Sequence, residues 1–139
     1  MNLAYLLDTN VLSEPLLPNP NRHVLAMLER HQQVIATAAP VWHELVFGCQ
    51  RLPASLKRRA IERYLYEVVA TTIPILPYDT AAAAWHGEER ARREAKGLTP
   101  AFVDGQIAAI AKQNNLVLIT RNLKDFRLFK GLKVESWFG

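Results

Sequence analysis

Short apolar-rich runs alternate along the chain with longer stretches whose apolar residues recur at helical spacing. The short runs are Leu3–Leu7, Val34–Ala38, Thr72–Leu76, Leu116–Thr120 and Lys133–Trp137, and each reads as a strand. Strands separated by helical patterns are the mark of βαβ units. The chain is therefore expected to form an α/β fold with a mainly parallel central sheet of about five strands. The last strand is expected at or near a sheet edge.

The helical stretches carry boundary signals. Pro15, Pro18 and Pro20 break the chain after the first strand, and Val24, Leu25 and Leu28 mark a short amphipathic helix. Pro40 opens a helix bearing Val41, Leu45 and Val46, which Gly48 is expected to close or bend. Ser55–Val69 reads as one longer, basic-faced helix with Leu56, Ile61 and Leu65 as its apolar positions. Asp79 and Thr80 can cap a helix running through Trp85 to about Lys96, with Gly97 ending it. Thr99 and Pro100 signal the start of another, reaching about Asn114.

Candidate chemistry follows from where acids fall in this plan. Asp8 comes directly after the first strand, and Glu44 lies early in the helix after the second. Asp104 lies in the second turn of the helix leading into the fourth strand, and Asn122 and Asp125 follow that strand. In a parallel sheet a following helix starts at the carboxyl edge, and a helix leading into a strand starts there too. Open α/β sheets bind ligands at that edge. Residues distant in sequence are thus expected to converge at one end of the sheet.

Carboxylates facing one another repel unless a cation lies between them. A set of hard oxygens suits Mg²⁺ or Mn²⁺, which can activate water for phosphodiester cleavage. Blander readings stand beside this one. Asp8-Thr9-Asn10 can be a turn or a helix cap, and Glu44 can be a solvated position, although its neighbours Val41, Leu45 and Gly48 make burial plausible. Asp104 sits beside the apolar run Ile107–Ala111, where an unpaired acid is costly.

Four segments carry a resemblance to a known family: LLDTNVLSE with Asp8, WHELVFG with Glu44, FVDGQIAAIA with Asp104, and LVLITRNLKDF with Asn122 and Asp125. In order and spacing, over nearly the whole chain, they resemble PIN-domain proteins, and among these the VapC-type toxins of the FitB-like subgroup. The resemblance implies a single PIN domain over residues 1–139, built as a three-layer sandwich. It implies a metal-dependent endoribonuclease, a homodimer, and the toxin part of a type II toxin–antitoxin system held by a cognate antitoxin. Asp8, Glu44 and Asp104 match the family's metal-binding acids. Asn122 stands where many members carry a fourth acid, and Asp125 either takes that place or stabilises the loop. Thr9, Asn10 and Thr120 match supporting polar positions, and Arg121 is a further supporting candidate. An antitoxin segment is expected in an apolar groove walled by Leu45, Val46 and Phe47 and by the Leu56–Leu65 face, unless those residues are ordinary core.

Composition narrows the picture only a little. The chain has 139 residues, 50% hydrophobic and 22% charged, with a net charge of +4. That balance suits one soluble domain, and the modest basic excess favours a polyanionic partner such as RNA. Basic residues group at Lys57, Arg58, Arg59 and Arg63, at Arg90, Arg92, Arg93 and Lys96, and at Arg121, Lys124, Arg127, Lys130 and Lys133. The last group adjoins the candidate site and suits phosphate contacts, and the first two are expected to be solvated helix faces. The single cysteine, Cys49, reads as a buried structural residue of a reducing compartment. No run is long enough to span a bilayer and no secretory leader is recognisable, so a cytoplasmic location is expected. His23, His31, His43 and His86 show no zinc spacing, and Trp42, Trp85, Trp137 and Phe126 are expected in core or interface. A non-cleaving module that binds RNA or protein remains the alternative. A phospho-receiver domain is disfavoured because Asp8 lacks an acidic neighbour.

Overall fold

A computed structural model describes residues 2–139. Five strands run in the order β1 (Tyr5–Leu7), β2 (Ile35–Ala38), β3 (Ile75–Leu76), β4 (Val117–Ile119) and β5 (Val134–Glu135). They form one sheet with the spatial order β3-β2-β1-β4-β5, and every pairing is parallel. The expected mainly parallel sheet is therefore wholly parallel, with β5 on an edge. All four residues of β2 are buried, as expected of a strand covered by helices on both faces. The register sets Leu7 beside Thr37 on one side and beside Ile119 on the other. The carboxyl ends of β1, β2 and β4 are thus level. Because β2 and β4 flank β1, the chain changes direction there, and a crevice opens at such a switch point.

Among the described residues, eight α-helical segments surround the sheet: α1 (Thr9–Leu12), α2 (Arg22–Arg30), α3 (Ala39–Gln50), α4 (Leu56–Arg63), α5 (Ala70–Thr72), α6 (Thr80–Glu94), α7 (Phe102–Gln113) and α8 (Leu123–Phe126). Among the described residues none is long and apolar enough to cross a membrane. α7 supplies the most continuous buried surface, from Ile107 through Ala111. Its alanines let the helix approach the sheet closely. Trp137 and Phe126 are core residues, whereas Trp42 and Trp85 are only partly buried against the core. Cys49 is buried and its thiol donates weakly to the Arg58 carbonyl at 3.7 Å.

Several boundaries differ from the sequence expectation for identifiable reasons. α3 passes through Gly48 and ends at Gln50. A glycine weakens a helix interior without stopping it, and Pro53 restricts the chain just beyond. The expected helix over Ser55–Val69 begins as predicted, with the Ser55 hydroxyl accepting the Arg58 N–H at 3.1 Å. It then widens into a π-helical turn at Tyr64–Val69 before α5. Leu56 is 81% exposed, because the buried stripe starts only with Ile61 and Leu65. Thr72 belongs to α5 instead of β3: the Thr71 and Thr72 hydroxyls bond back to the Glu67 and Val68 carbonyls, a local bond that lets β-branched residues sit in a helical turn. α7 starts at Phe102, after the Thr99-Pro100 signal. Finally, Arg93 is no solvated cation. It is buried, donating to the Leu128 carbonyl at 2.6 Å with its guanidinium over the Phe129 ring.

Candidate active site

Asp8 leaves the end of β1 and does two jobs at once. Its Oδ1 accepts the Thr9 N–H at 2.8 Å and caps α1. Its Oδ2 accepts the Thr120 hydroxyl at 2.7 Å, with the Asn10 amide at 3.4 Å. The cap reading and the site reading of this residue are therefore compatible. Only 6% of Asp8 is exposed. Burial pushes its carboxyl above the ordinary range and the Glu44 charge adds to this, while the bonds from Thr120, Thr9 and Asn10 pull it down.

The supporting residues form one connected frame. The Thr9 hydroxyl donates to Glu44 Oε1 at 2.9 Å, joining α1 to α3. Asn10 Oδ1 accepts the Arg121 N–H at 3.0 Å, and the Thr120 hydroxyl oxygen accepts the Asn122 N–H at 3.0 Å. The loop after β4 is thereby fixed against the loop after β1. Glu44 itself is exposed, contrary to the burial its neighbours suggested: Val41 and Leu45 face the core while Glu44 turns toward the crevice.

Asp104 lies in the first turn of α7. Its carboxyl is pushed up to about 6, first by burial and then by the charges of Asp8, Asp125 and Glu44. Four acids from four separate segments are thus within electrostatic reach of one another. Asn122 is exposed at the start of α8, its side chain making no capping bond. Of the two residues considered for the fourth position, Asp125 is the one whose charge acts on Asp104.

Two nearby elements carried no clear sequence signal. Glu14 is buried, accepts the Asn21 N–H at 2.7 Å and lies 3.9 Å from the Arg121 guanidinium, which also stacks over the Phe138 ring at 4.1 Å. An acid just before a proline reads as a turn, although Glu14 closes the LLDTNVLSE segment. Behind α7, the Tyr78 hydroxyl and His86 Nδ1 are 2.8 Å apart. His86 packs directly on Gly105, where any side chain would overlap the imidazole. Burial, and then the Arg90 charge, lower its basicity.

The PIN domain family profile matches residues 5–131. The chain belongs to the PIN-domain family. Among PIN-domain relatives, toxin FitB of Neisseria gonorrhoeae is 37% identical over 125 residues, spanning 87% of this chain and 89% of that protein. The tRNA(fMet)-specific endonuclease VapC of Salmonella typhimurium is 27% identical over 135 residues, spanning 97% and 98%. In structure, FitAB bound to an IR36 DNA fragment superposes with a TM-score of 0.89 at 30% identity, covering 97% of this chain and 96% of that one. The chain therefore shares its overall fold with that structure over nearly the whole length of both.

Proposed function

We propose that this protein is the toxin of a type II toxin–antitoxin pair and acts as an endoribonuclease that requires Mg²⁺ or Mn²⁺. The observation that carries the reading is the convergence of Asp8, Glu44, Asp104 and Asp125 from four separate segments at the carboxyl end of the sheet, where Thr9 bridges Asp8 and Glu44 and the other acids, after burial, push the Asp104 carboxyl up to about 6. Such repulsion is maintained in a fold only where a cation or a proton offsets it. The relatives named as endonucleases and toxins support the same conclusion.

The donor set fits a hard divalent ion. Asp8, Glu44, Asp104 and Asp125 offer only carboxylate oxygens, and no sulfur or imidazole stands among them. Among the described residues no three His, Cys, Asp or Glu side chains form a ready-made cage. Mg²⁺ is commonly held by one or two carboxylates, with water and substrate phosphate completing its shell. When bound, the ion supplies positive charge for the scissile phosphate and an activated water for its hydrolysis.

The chain's own residues prepare the rest. Thr120 and the Thr9 N–H orient Asp8 and favour its ionised form against the effect of burial. Thr9 orients Glu44. Asn10 and Thr120 hold the backbone at Arg121 and Asn122, keeping the mouth of the site in place for an RNA strand. Arg121, Lys124 and Arg127 bring positive charge to that mouth for phosphate contacts.

An antitoxin would meet apolar surface away from the acids. Of the walls expected from sequence, Phe47 and Leu56 are exposed but Leu45 and Leu65 are core. A cleft of about 520 Å³ has an apolar wall of Leu12, Pro15, Leu25, Leu28, Tyr64 and Ile73 and a polar rim at Glu29, Gln32 and Gln33, and it fits an amphipathic peptide better. A homodimer working in the cytoplasm completes the reading.

The test is incubation of antitoxin-free protein with total cellular RNA, with Mg²⁺ or Mn²⁺ and then with EDTA. Discrete metal-dependent fragments, absent for folded Asp8→Ala and Asp104→Ala variants, are expected. Intact RNA over a wide range of metal concentrations would favour a non-cleaving binding module instead.

A further inference from the structure

Glu44 stands between two spaces. On one side it accepts the Thr9 hydroxyl and acts on Asp104. On the other it borders a cleft of about 410 Å³ between the start of α3 and the first turns of α7. The other principal walls of that cleft are Pro40 and His43 on α3, Tyr78 before α6, and Val103 and Gln106 on α7. Val103 and Gln106 are three residues apart, so they share a helix face.

The chemistry of these walls is specific. No lysine or arginine lines the cleft, so it offers nothing to hold a phosphate. It combines apolar surface at Pro40 and the half-exposed Val103 with an exposed imidazole at His43 and a phenol at Tyr78. The Tyr78 ring is fixed, because its hydroxyl is tied to His86 Nδ1 at 2.8 Å. Gln106 contributes an amide that both donates and accepts. A flat, uncharged heterocycle with a hydrogen-bonding edge matches this set. Single-stranded RNA is read in this manner, by stacking on aromatic side chains and by bonds to base edges.

We propose that this cleft holds a nucleobase next to the phosphodiester cut at the acid cluster, and that Gln106 and His43 set the base preference at that position. The assignment rests on the nuclease reading above. Glu44 links the two, because it belongs to the acids on one side and to the cleft wall on the other. A strand with its phosphate at the acids would carry the adjoining base past Glu44 and into the cleft.

The experiment uses the full chain, Mg²⁺ and a pool of short single-stranded oligoribonucleotides randomised on both sides of the cut. Cleavage products are sequenced for the unaltered protein, Gln106→Leu and His43→Ala. The unaltered protein is expected to favour particular bases at one flanking position. Gln106→Leu should compress that preference by about ten-fold, the scale of a lost pair of base-edge bonds. His43→Ala should lower kcat/KM by about ten-fold, mainly through KM, the scale of a lost stacking contact. Cleavage with the same preference in both variants overturns the cleft assignment and leaves the nuclease reading standing. So does a uniform fall in kcat, or a change in oligomeric state on sedimentation with preference retained. RNA left intact by the unaltered protein overturns both readings together.

Discussion

Thr120 and Asp8, 112 residues apart in sequence, are joined by a hydroxyl-to-carboxylate hydrogen bond of 2.7 Å in the buried floor of the acid cluster. Thr120 is fully buried and Asp8 nearly so. The bond ties β4 to β1 at the point where the sheet changes direction. It also favours the ionised form of Asp8 against the effect of burial.

Thr120→Val keeps the shape of the side chain and removes this donor, together with the acceptor for the Asn122 N–H. We expect a loss of about 1–3 kcal/mol in urea unfolding, the usual cost of leaving buried polar groups without partners. Thr120→Ser should recover most of it. Because the bond lowers the Asp8 pKa, its loss raises that value. The acidic limb of the pH–activity profile should therefore move to higher pH in Thr120→Val. An unmoved limb would separate Thr120 from the ionisation of Asp8.

Asp104 gives a pH dependence of stability. Its folded-state value of about 6 lies above the ordinary 3.8, so the folded chain binds this proton more tightly than the unfolded chain does. The contribution to stability is full below about pH 4 and is lost as pH rises through 6. Asp104→Asn removes the charge. In EDTA at pH 8 the variant should be more stable by about 1 kcal/mol, a figure reduced for solvent screening of a part-exposed group. At pH 4 the gain should vanish. Urea unfolding at both pH values measures it, and an equal gain at both would mean that Asp104 carries no such strain.

Gly105 and His86 form a steric lock one residue from Asp104. A Cβ at position 105 would overlap the imidazole, which is itself held by Tyr78. Gly105→Ala should cost about 1–3 kcal/mol through overpacking at the α6–α7 contact. Adding His86→Ala should return part of that cost, so the two substitutions are expected to be non-additive by at least about 0.5 kcal/mol. Thermal unfolding of the single and double variants tests this, and simple additivity would mean that the two helices adjust without the histidine.

Much of this architecture is legible in the residues, and what is not has physical causes. Strand positions follow from dense apolar runs, and the convergence of Asp8, Glu44 and Asp104 follows from parallel topology alone. α1 and α8, four residues each, are too short for any periodic pattern to show. Thr72 reads as the start of a strand because β-branched residues favour strands, while bonds from the Thr71 and Thr72 hydroxyls to preceding carbonyls decide otherwise. The burial of Arg93 and Glu14 depends on partners more than 30 residues away or across a loop. No local pattern reveals such pairing. The exposure of Glu44 is a related case: its helix face was readable, but the crevice it faces exists only once the sheet is assembled.

The choice between Asn122 and Asp125 is the part of the site most open to measurement. Asp125 adds negative charge where Asp104 feels it, whereas Asn122 adds no charge and its side chain does not cap α8. If Asp125 helps to hold the cation, Asp125→Asn should raise the Mg²⁺ concentration for half-maximal cleavage by about ten-fold or more, the range seen when groups around a metal are altered. The same change should let the Asp104 carboxyl ionise more readily, since one of the charges raising its pKa is gone. Asn122→Ala should shift the Mg²⁺ midpoint far less. Magnesium titration of cleavage by the two variants decides the matter, because a larger shift for Asn122→Ala would assign the fourth position to the amide and reduce Asp125 to a residue of the loop.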